Sequence, residues 1–354
     1  MAKKVAVAMS GGVDSSLTAM LLQEEGYEVS GMTMLLFDTY DADGNIIEPQ
    51  SVVDARRVAE QLGIPHRVVD LRDRFKARVV DYFLHEYGVG RTPNPCVMCN
   101  RQVKFGGLYE SAQEAGIDLV ATGHYARIEQ LENGTYAVRK GMDIRKDQSY
   151  ALCRLTQELL AHFITPLGGL EKTETRALAK QYGLIVADKP ESQEICFVPK
   201  DDYKAYLAHH APEMLEAGDI VDLNGRVLGT HQGVPFYTIG QRKGLGIAAE
   251  HPLYVVGLDA EKKRVVVGAN ADLFVKGLTA TDVNWQQGER TAPFEANVKI
   301  RYGNRETKSR IEPLDGGRIR VIFAEPLRAA TPGQSVVMYE GDMLLGGAFI
   351  ERAL

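Results

Sequence analysis

The sequence predicts an α/β protein in which a doubly wound parallel sheet at the N-terminus is followed by two small β-rich, barrel-like domains. Three observations carry this. Strand and helix patterns alternate over the first 125 or so residues. Beyond about residue 218 they give way to short strand patterns separated by glycines. And 354 residues exceed what one core ordinarily organises. The expected domains are 1–200, with a helical linker region near 156–210, then 211–270 and 271–354.

The apolar run Lys4–Ala8 is the first strand, and Asp14–Glu25, with Leu17, Leu21 and Leu22, is the first helix. Val29–Leu36 is the second strand. Residues 38–50 are polar and glycine-containing, which reads as a surface loop. Ser51–Leu62 places Val52, Ala55, Val58, Ala59 and Leu62 on one helical face. His66–Leu71 and Asp118–Thr122 are strands, separated by helices at Phe75–Tyr87 and Phe105–Ala115. Strands alternating with helices imply a parallel sheet covered on both faces. Thr156–Tyr182 reads as helical until the Pro- and charge-rich stretch Ala187–Glu194. Short strands then follow at 219–222, 226–229, Leu253–Leu258 and Arg264–Gly268, and again at Ala296–Tyr302, Thr307–Ile311, Arg318–Phe323, Ser335–Tyr339 and Leu344–Glu351. The chain shows no internal repeat.

Hydrophobic content is 45% and charged content 25%, the profile of a soluble globular protein. No apolar run approaches the roughly 20 residues that span a bilayer, and Met1-Ala2-Lys3-Lys4 leads directly into the first strand, so a cytoplasmic protein without a signal peptide or membrane partner is expected. A net charge of −6 argues against a generally basic nucleic-acid binder but leaves room for a local basic patch. Four cysteines are too few for a disulfide scaffold and read as buried thiols, metal ligands or catalytic groups.

Residues 10–16 read Ser-Gly-Gly-Val-Asp-Ser-Ser, between the first strand and the first helix. Two glycines let the backbone approach an anion, the helix N-terminus presents unpaired N–H groups, and Ser10, Ser15 and Ser16 add hydroxyls. Asp14 is placed to cap the first turn or to hold a metal, Mg2+, that bridges phosphates. A Walker A loop needs a lysine just before its Ser/Thr, and this loop has none. It resembles instead the loop of the N-type ATP pyrophosphatases (adenine nucleotide alpha hydrolase-like), which cleave ATP to AMP and pyrophosphate and adenylate a substrate.

Cys96 and Cys99 have C-x-x-C spacing in the Pro-rich stretch 91–100, Cys196 follows Glu191-Ser-Gln-Glu-Ile, and Cys153 sits in an apolar context that suits a small core residue. Together with the 10–16 loop, the motifs Thr92-Pro-Asn-Pro, Cys99-Asn, Ala121-Thr-Gly-His-Tyr, Lys146-Asp-Gln-Ser-Tyr, Ser192-Gln-Glu-Ile-Cys-Phe, Phe236-Tyr-Thr-Ile-Gly-Gln-Arg-Lys-Gly-Leu, Lys299-Ile-Arg-Tyr and Thr331-Pro-Gly-Gln-Ser resemble the bacterial tRNA-specific 2-thiouridylase family, in matching order over nearly the whole chain. The resemblance implies a tRNA-modifying sulfurtransferase that makes 2-thiouridine at the wobble position, 34. ATP adenylates the C2 oxygen, and sulfur from a cysteine persulfide replaces it. Chemistry agrees: a carbonyl oxygen leaves poorly, a phosphoester oxygen leaves as AMP, and a thiol or persulfide is a strong nucleophile.

By position in the motifs, Cys99 is the nucleophile and Cys196 the persulfide carrier, and transfer leaves them linked as a transient disulfide bond. The resemblance assigns ATP to Ala8, Met9, Ser10, Gly11, Gly12, Val13, Asp14 and Ser15, with Met34 and Gly123, and tRNA to Asn94, Pro95, Cys96, His124, Lys146, Asp147, Gln148, Arg301, Tyr302 and Gln334. Arg301, Arg305, Lys308 and Arg310 lie within ten residues of one another around Tyr302, and strand alternation would place several on one face for RNA contact. The implied partners are tRNA and a persulfide-donor protein of a sulfur relay, with the enzyme itself a monomer. Cys96 stands where family members often carry Asp. Cys96, Cys99 and Cys196 therefore also read as three ligands of a [4Fe–4S] cluster, whereas structural zinc lacks a clear fourth ligand. Two further readings are an adenylating ligase resembling argininosuccinate or GMP synthetase, which needs no paired cysteines, and a non-catalytic, ATP-responsive RNA-binding protein.

Overall fold

The computed structural model describes residues 2–191 and 195–354. Its chain forms two compact units. One comprises Met1–Val79, Cys96–Gln193 and Asp342–Leu344, the other Val80–Pro95, Glu194–Gly341 and Leu345–Leu354. Both β-rich regions fall in the second unit. Residues 80–95 join it because Phe83 and Tyr87 of the helix Asp81–Gly88 pack on Phe197, Tyr203 and Tyr206, at ring-centroid distances of 5.2, 5.4 and 6.1 Å.

The first unit is built on five parallel strands. Their spatial order is His66–Asp70, Glu28–Leu35, Lys4–Ala8, Leu119–Ala121 and Phe163–Ile164. Chain order therefore reverses around Lys4–Ala8, and a crevice at the carboxyl ends of the strands on either side of such a switch is where doubly wound sheets bind ligands. Val5 and Val7, fully buried, pack with Ala19 and Leu22 of the helix Val13–Glu24 and with Ala55, Val58 and Ala59 of the helix Gln50–Leu62. The latter ends at Gly63, whose φ of 65° supplies the left-handed cap.

Three features of this unit differ from expectation. The segment 156–182 is not one helical run: it holds the short helix Gln157–Leu160, the edge strand Phe163–Ile164 and the helix Lys172–Gln181. Residues 38–50 contain a two-stranded hairpin, Thr39–Tyr40 with Ile46–Ile47. A second hairpin, Ala126–Gln130 with Tyr136–Lys140, precedes the Lys146 loop.

In the second unit, Val227–His231, Gly218–Val221, Arg264–Gly268 and Tyr254–Asp259 form a four-stranded sheet over a core of Ile220, Val255, Val265 and Val267. Gly218–Val221 pairs antiparallel with Val227–His231 but parallel with Arg264–Gly268, so this sheet is mixed rather than built from hairpins alone. The C-terminal barrel follows the order Phe274–Trp285, Arg318–Arg328, Thr307–Leu314, Phe294–Lys299, Ser335–Glu340 and Met343–Ala353, and the first and last of these pair to close it. Phe274–Trp285 is a sixth strand beyond the five expected.

Candidate active site

The loop after Lys4–Ala8 is shaped by its own side chains. Gly11 has φ +67°, and a Cβ there would lie 2.5 Å from the Ser51 carbonyl oxygen, so glycine is required on both counts. Gly12 is the extended N-cap of Val13–Glu24, and among the described residues no side chain caps this terminus. The Ser10 amide donates to Ser15 Oγ at 3.1 Å, and the Ser15 and Ser16 hydroxyls donate to the Gly12 carbonyl at 3.2 and 2.9 Å. The result is a tight turn leading into a helix N-terminus, a shape that suits an anion. Gly123, just past Leu119–Ala121, lies close behind it: a Cβ at Gly123 would sit 3.0 Å from Asp14.

Met34 lies near the carboxyl end of its strand and is half-buried. Met9 is a core residue, its side chain lying under Gly31 and its carbonyl accepting from the Thr33 hydroxyl at 2.9 Å. Val13 is likewise buried beside Leu17. For these two, any nucleotide contact is confined to the backbone.

Asp14 neither caps the helix nor stands open to a metal. Lys172 Nζ lies 2.7 and 2.8 Å from its two oxygens, and the Tyr125 hydroxyl donates to Oδ1 at 2.8 Å. Lys172 also meets Glu191 at 3.0 Å, and Lys146 meets Glu191 at 2.7 Å. Burial alone would raise the Glu191 carboxyl, but hydrogen bonds and charge from Lys146 and Lys172 prevail and hold it at about 2. Burial pushes the Tyr125 phenol well above its usual range. Lys189 Nζ donates to the Gly11 carbonyl at 2.8 Å and pairs with Asp54 at 2.6 Å, lowering the Asp54 carboxyl. Lys172 and Lys189 were not singled out from the sequence. Lys172 and Lys189 lie 158 and 178 residues from their loop partners, and only their charge could have flagged them.

Cys96 and Cys99 share one helical segment, Pro95–Cys99, with Cys96 exposed and Cys99 buried. Cys196 sits on an exposed turn of the second unit, anchored by the buried Phe197 against Phe83 and Tyr206. Ser192, Gln193 and Glu194 of its motif lie outside the described residues. Cys153 is fully buried. Among the described residues, no three His, Cys, Asp or Glu side chains converge to hold a metal. Asp14, the carboxylate expected to hold Mg2+, has both oxygens on Lys172 Nζ, and the described residues form no ready-made site for Mg2+ or for a [4Fe–4S] cluster.

The residues expected to meet tRNA fall into two kinds. Lys146 is partly exposed, as is Asn94, whereas Pro95 is buried. Asp147 is buried, and its carboxylate accepts from the Gly141 and Ser149 amides and the Ser149 hydroxyl. Gln148 Oε1 accepts from the Tyr125 amide. Gln334 donates to the Thr92 and Pro93 carbonyls at 2.9 and 3.1 Å. His124 lies beside the Thr122 hydroxyl and the Phe105 ring, and burial followed by the nearby Lys104 charge lowers it to about 3, so it is neutral at physiological pH. Arg301 and Arg305 lie in the turn before Thr307–Leu314 rather than on a strand face, and the Arg301 guanidinium donates to the Ile239 carbonyl and the Thr331 hydroxyl. Lys308 and Arg310 do share the exposed face, alternating with the buried Ser309 and Ile311, and Tyr302 is half exposed.

Three family models match the chain: a tRNA methyl transferase HUP domain over residues 3–200, a tRNA methyl transferase PRC-barrel domain over 204–269, and an aminomethyltransferase beta-barrel domain over 275–350. The tRNA-specific 2-thiouridylase MnmA of Carboxydothermus hydrogenoformans is 49% identical, covering 99% of this chain and 98% of that protein. Its namesake from Geobacter metallireducens is 51% identical with the same coverage. Among solved structures, a 4-thiouridine synthetase–RNA complex with bound ATP is 20% identical over 60% of this chain and 51% of that one, with a TM-score of 0.34.

Proposed function

This chain belongs to the tRNA-specific 2-thiouridylase (MnmA) family, and from that premise we propose that it replaces the C2 oxygen of the wobble uridine of tRNA with sulfur in an ATP-dependent reaction. The observation that carries the reading is identity of about half the residues over the full length of the curated relatives. The uridine O2 attacks the α-phosphorus of ATP, and pyrophosphate leaves. The terminal sulfur of a Cys196 persulfide attacks C2, and AMP departs with the former carbonyl oxygen. The Cys99 thiolate then attacks Cys196 Sγ, the persulfide S–S bond breaks, and its electron pair stays on the sulfur bound to C2. Thiouridine is released, and a Cys99–Cys196 disulfide remains for a dithiol reductant to open.

The loop at the switch of the sheet supports nucleotide binding through Ser10–Ser15, with Gly123 behind it and Met34 at the neighbouring strand end. Magnesium enters as the counterion of ATP rather than as a ligand of Asp14. Lys146, Lys308, Arg310 and Tyr302 are the side chains offered for tRNA. Asp147, Gln148 and Gln334 shape the loops that present such contacts. The parts 1–200, 211–270 and 271–354 would serve as the adenylation, central and tRNA-contacting domains. A persulfide-donor protein supplies the sulfur, and the enzyme acts as a monomer in the cytoplasm.

The test is mass spectrometry of tRNA from cells lacking the gene. Wobble 2-thiouridine should vanish and return with the native gene, but not with Cys99→Ser or Cys196→Ser, whereas Cys153→Ser should restore it. Unchanged thiolation in the deletion strain would refute the reading.

A further inference from the structure

Cleavage of ATP between its α- and β-phosphates places new charge on a leaving pyrophosphate, yet residues 8–16 contain no cation. The fold brings one from far along the chain. Lys172 opens the helix Lys172–Gln181, and its side chain is only 9% exposed. Its ammonium is fixed by both oxygens of Asp14, by Glu191 and by the face of the Tyr125 ring 5.2 Å away. Lys146 and Arg176 also face Glu191, at 2.7 and 3.6 Å. Among the described residues, three cations, Lys146, Lys172 and Arg176, are thus set against Asp14 and Glu191 beside the 10–16 loop. A positive surplus around a largely buried ammonium favours an anionic ligand.

We propose that Lys172 is the cation this loop directs at the pyrophosphate moiety of ATP, and that Asp14 is its anchor rather than a metal ligand. The proposal rests on the nucleotide reading given above. An ammonium held by two carboxylates is already desolvated and aimed, so an incoming phosphate exchanges for one carboxylate without first ordering a flexible side chain. Glu191 is the exchangeable partner, because Lys146 and Arg176 remain to hold it when Lys172 turns to phosphate.

Equilibrium binding to tRNA-free protein tests this apart from thiolation, using α,β-methylene-ATP and AMP as probes. Lys172→Met should weaken α,β-methylene-ATP about tenfold or more, the effect of one lost charge-assisted hydrogen bond, while changing AMP less than about twofold. Lys172→Arg should recover most of the loss. Because Lys172→Met leaves Asp14 without its cation, the double variant Asp14→Asn/Lys172→Met is the folding control and should show the same selective loss. Free Mn2+, followed by electron paramagnetic resonance without nucleotide, should bind native and Asp14→Asn proteins alike. Equal weakening of both nucleotides, no weakening of either, or a Mn2+ site lost with Asp14→Asn would overturn the assignment. Native protein that binds neither nucleotide would overturn the nucleotide reading as well.

Discussion

Glu191 shows how single residues set the site's charge. Its carboxyl lies at about 2 in the folded chain against an ordinary 4.5. A group lowered by folding contributes stability that is complete above its unfolded value and is lost as pH falls through the folded one. The window is therefore pH 4.5 down to about 2, and the contribution at neutral pH is on the order of 3 kcal/mol. Glu191→Gln should lower stability at pH 7 by an amount of that order, and the difference from native protein should vanish towards pH 2. Urea unfolding across this range checks it, and a pH-independent difference would show that the ion pairs are not the cause. At this scale the sequence was partly legible. Ser10–Ser16 could be read because its residues are contiguous and backbone geometry dictates their types. Lys172, Lys189 and Glu191 act through partners remote in sequence, which no local pattern encodes. Asp147, Gln148 and Gln334 share the composition of contact residues, but here their polar groups bind backbone, Asp147 within its own loop and Gln148 and Gln334 on the remote segments at Tyr125 and at Thr92 and Pro93.

At the scale of elements, the sheet was legible wherever apolar runs are long, and Lys4–Ala8 has the predicted bounds. The hairpin Ala126–Gln130 with Tyr136–Lys140 escaped because each strand is only five residues long and Tyr136, Ala137 and Val138 run together without alternating. Phe274–Trp285 escaped because register shifts near Val275, Thr279 and Thr281 interrupt its period of two. Phe163–Ile164 is too short to show a pattern. The two loop glycines make separable predictions. Gly11→Ala must place a side chain at φ +67° and 2.5 Å from a carbonyl oxygen, so it should abolish ATP binding and cost about 1–3 kcal/mol of stability. Gly12→Ala meets only Ser10 Oγ at 3.5 Å and should stay folded with stability within about 1 kcal/mol of native. Thermal unfolding and nucleotide titration of the two variants distinguish them, and equal effects would mean the loop conformation is not what glycine protects.

For the whole molecule, an acidic chain must hold a polyanion through local charge. Net charge is −6, yet the barrel exposes Lys308 and Arg310 on one strand face and Tyr302 in the turn before that strand. tRNA affinity should therefore fall steeply with salt, and replacing Lys308 and Arg310 with Ala should reduce the slope of log K against log salt by about 1–2. Arg301→Ala, by contrast, removes bonds to Ile239 and Thr331 and should lower barrel stability. A slope unchanged in the double variant would move the RNA surface elsewhere.

The proposed reaction turns on the activation of the uridine O2 by ATP. Oxygen-18 placed at C2 of the wobble uridine follows that atom directly. With native protein, ATP and a persulfide donor, each thiolated tRNA should release one AMP carrying one oxygen-18, detected by mass spectrometry. Thiolated tRNA with unlabelled AMP, or with label in water alone, would contradict adenylation at O2.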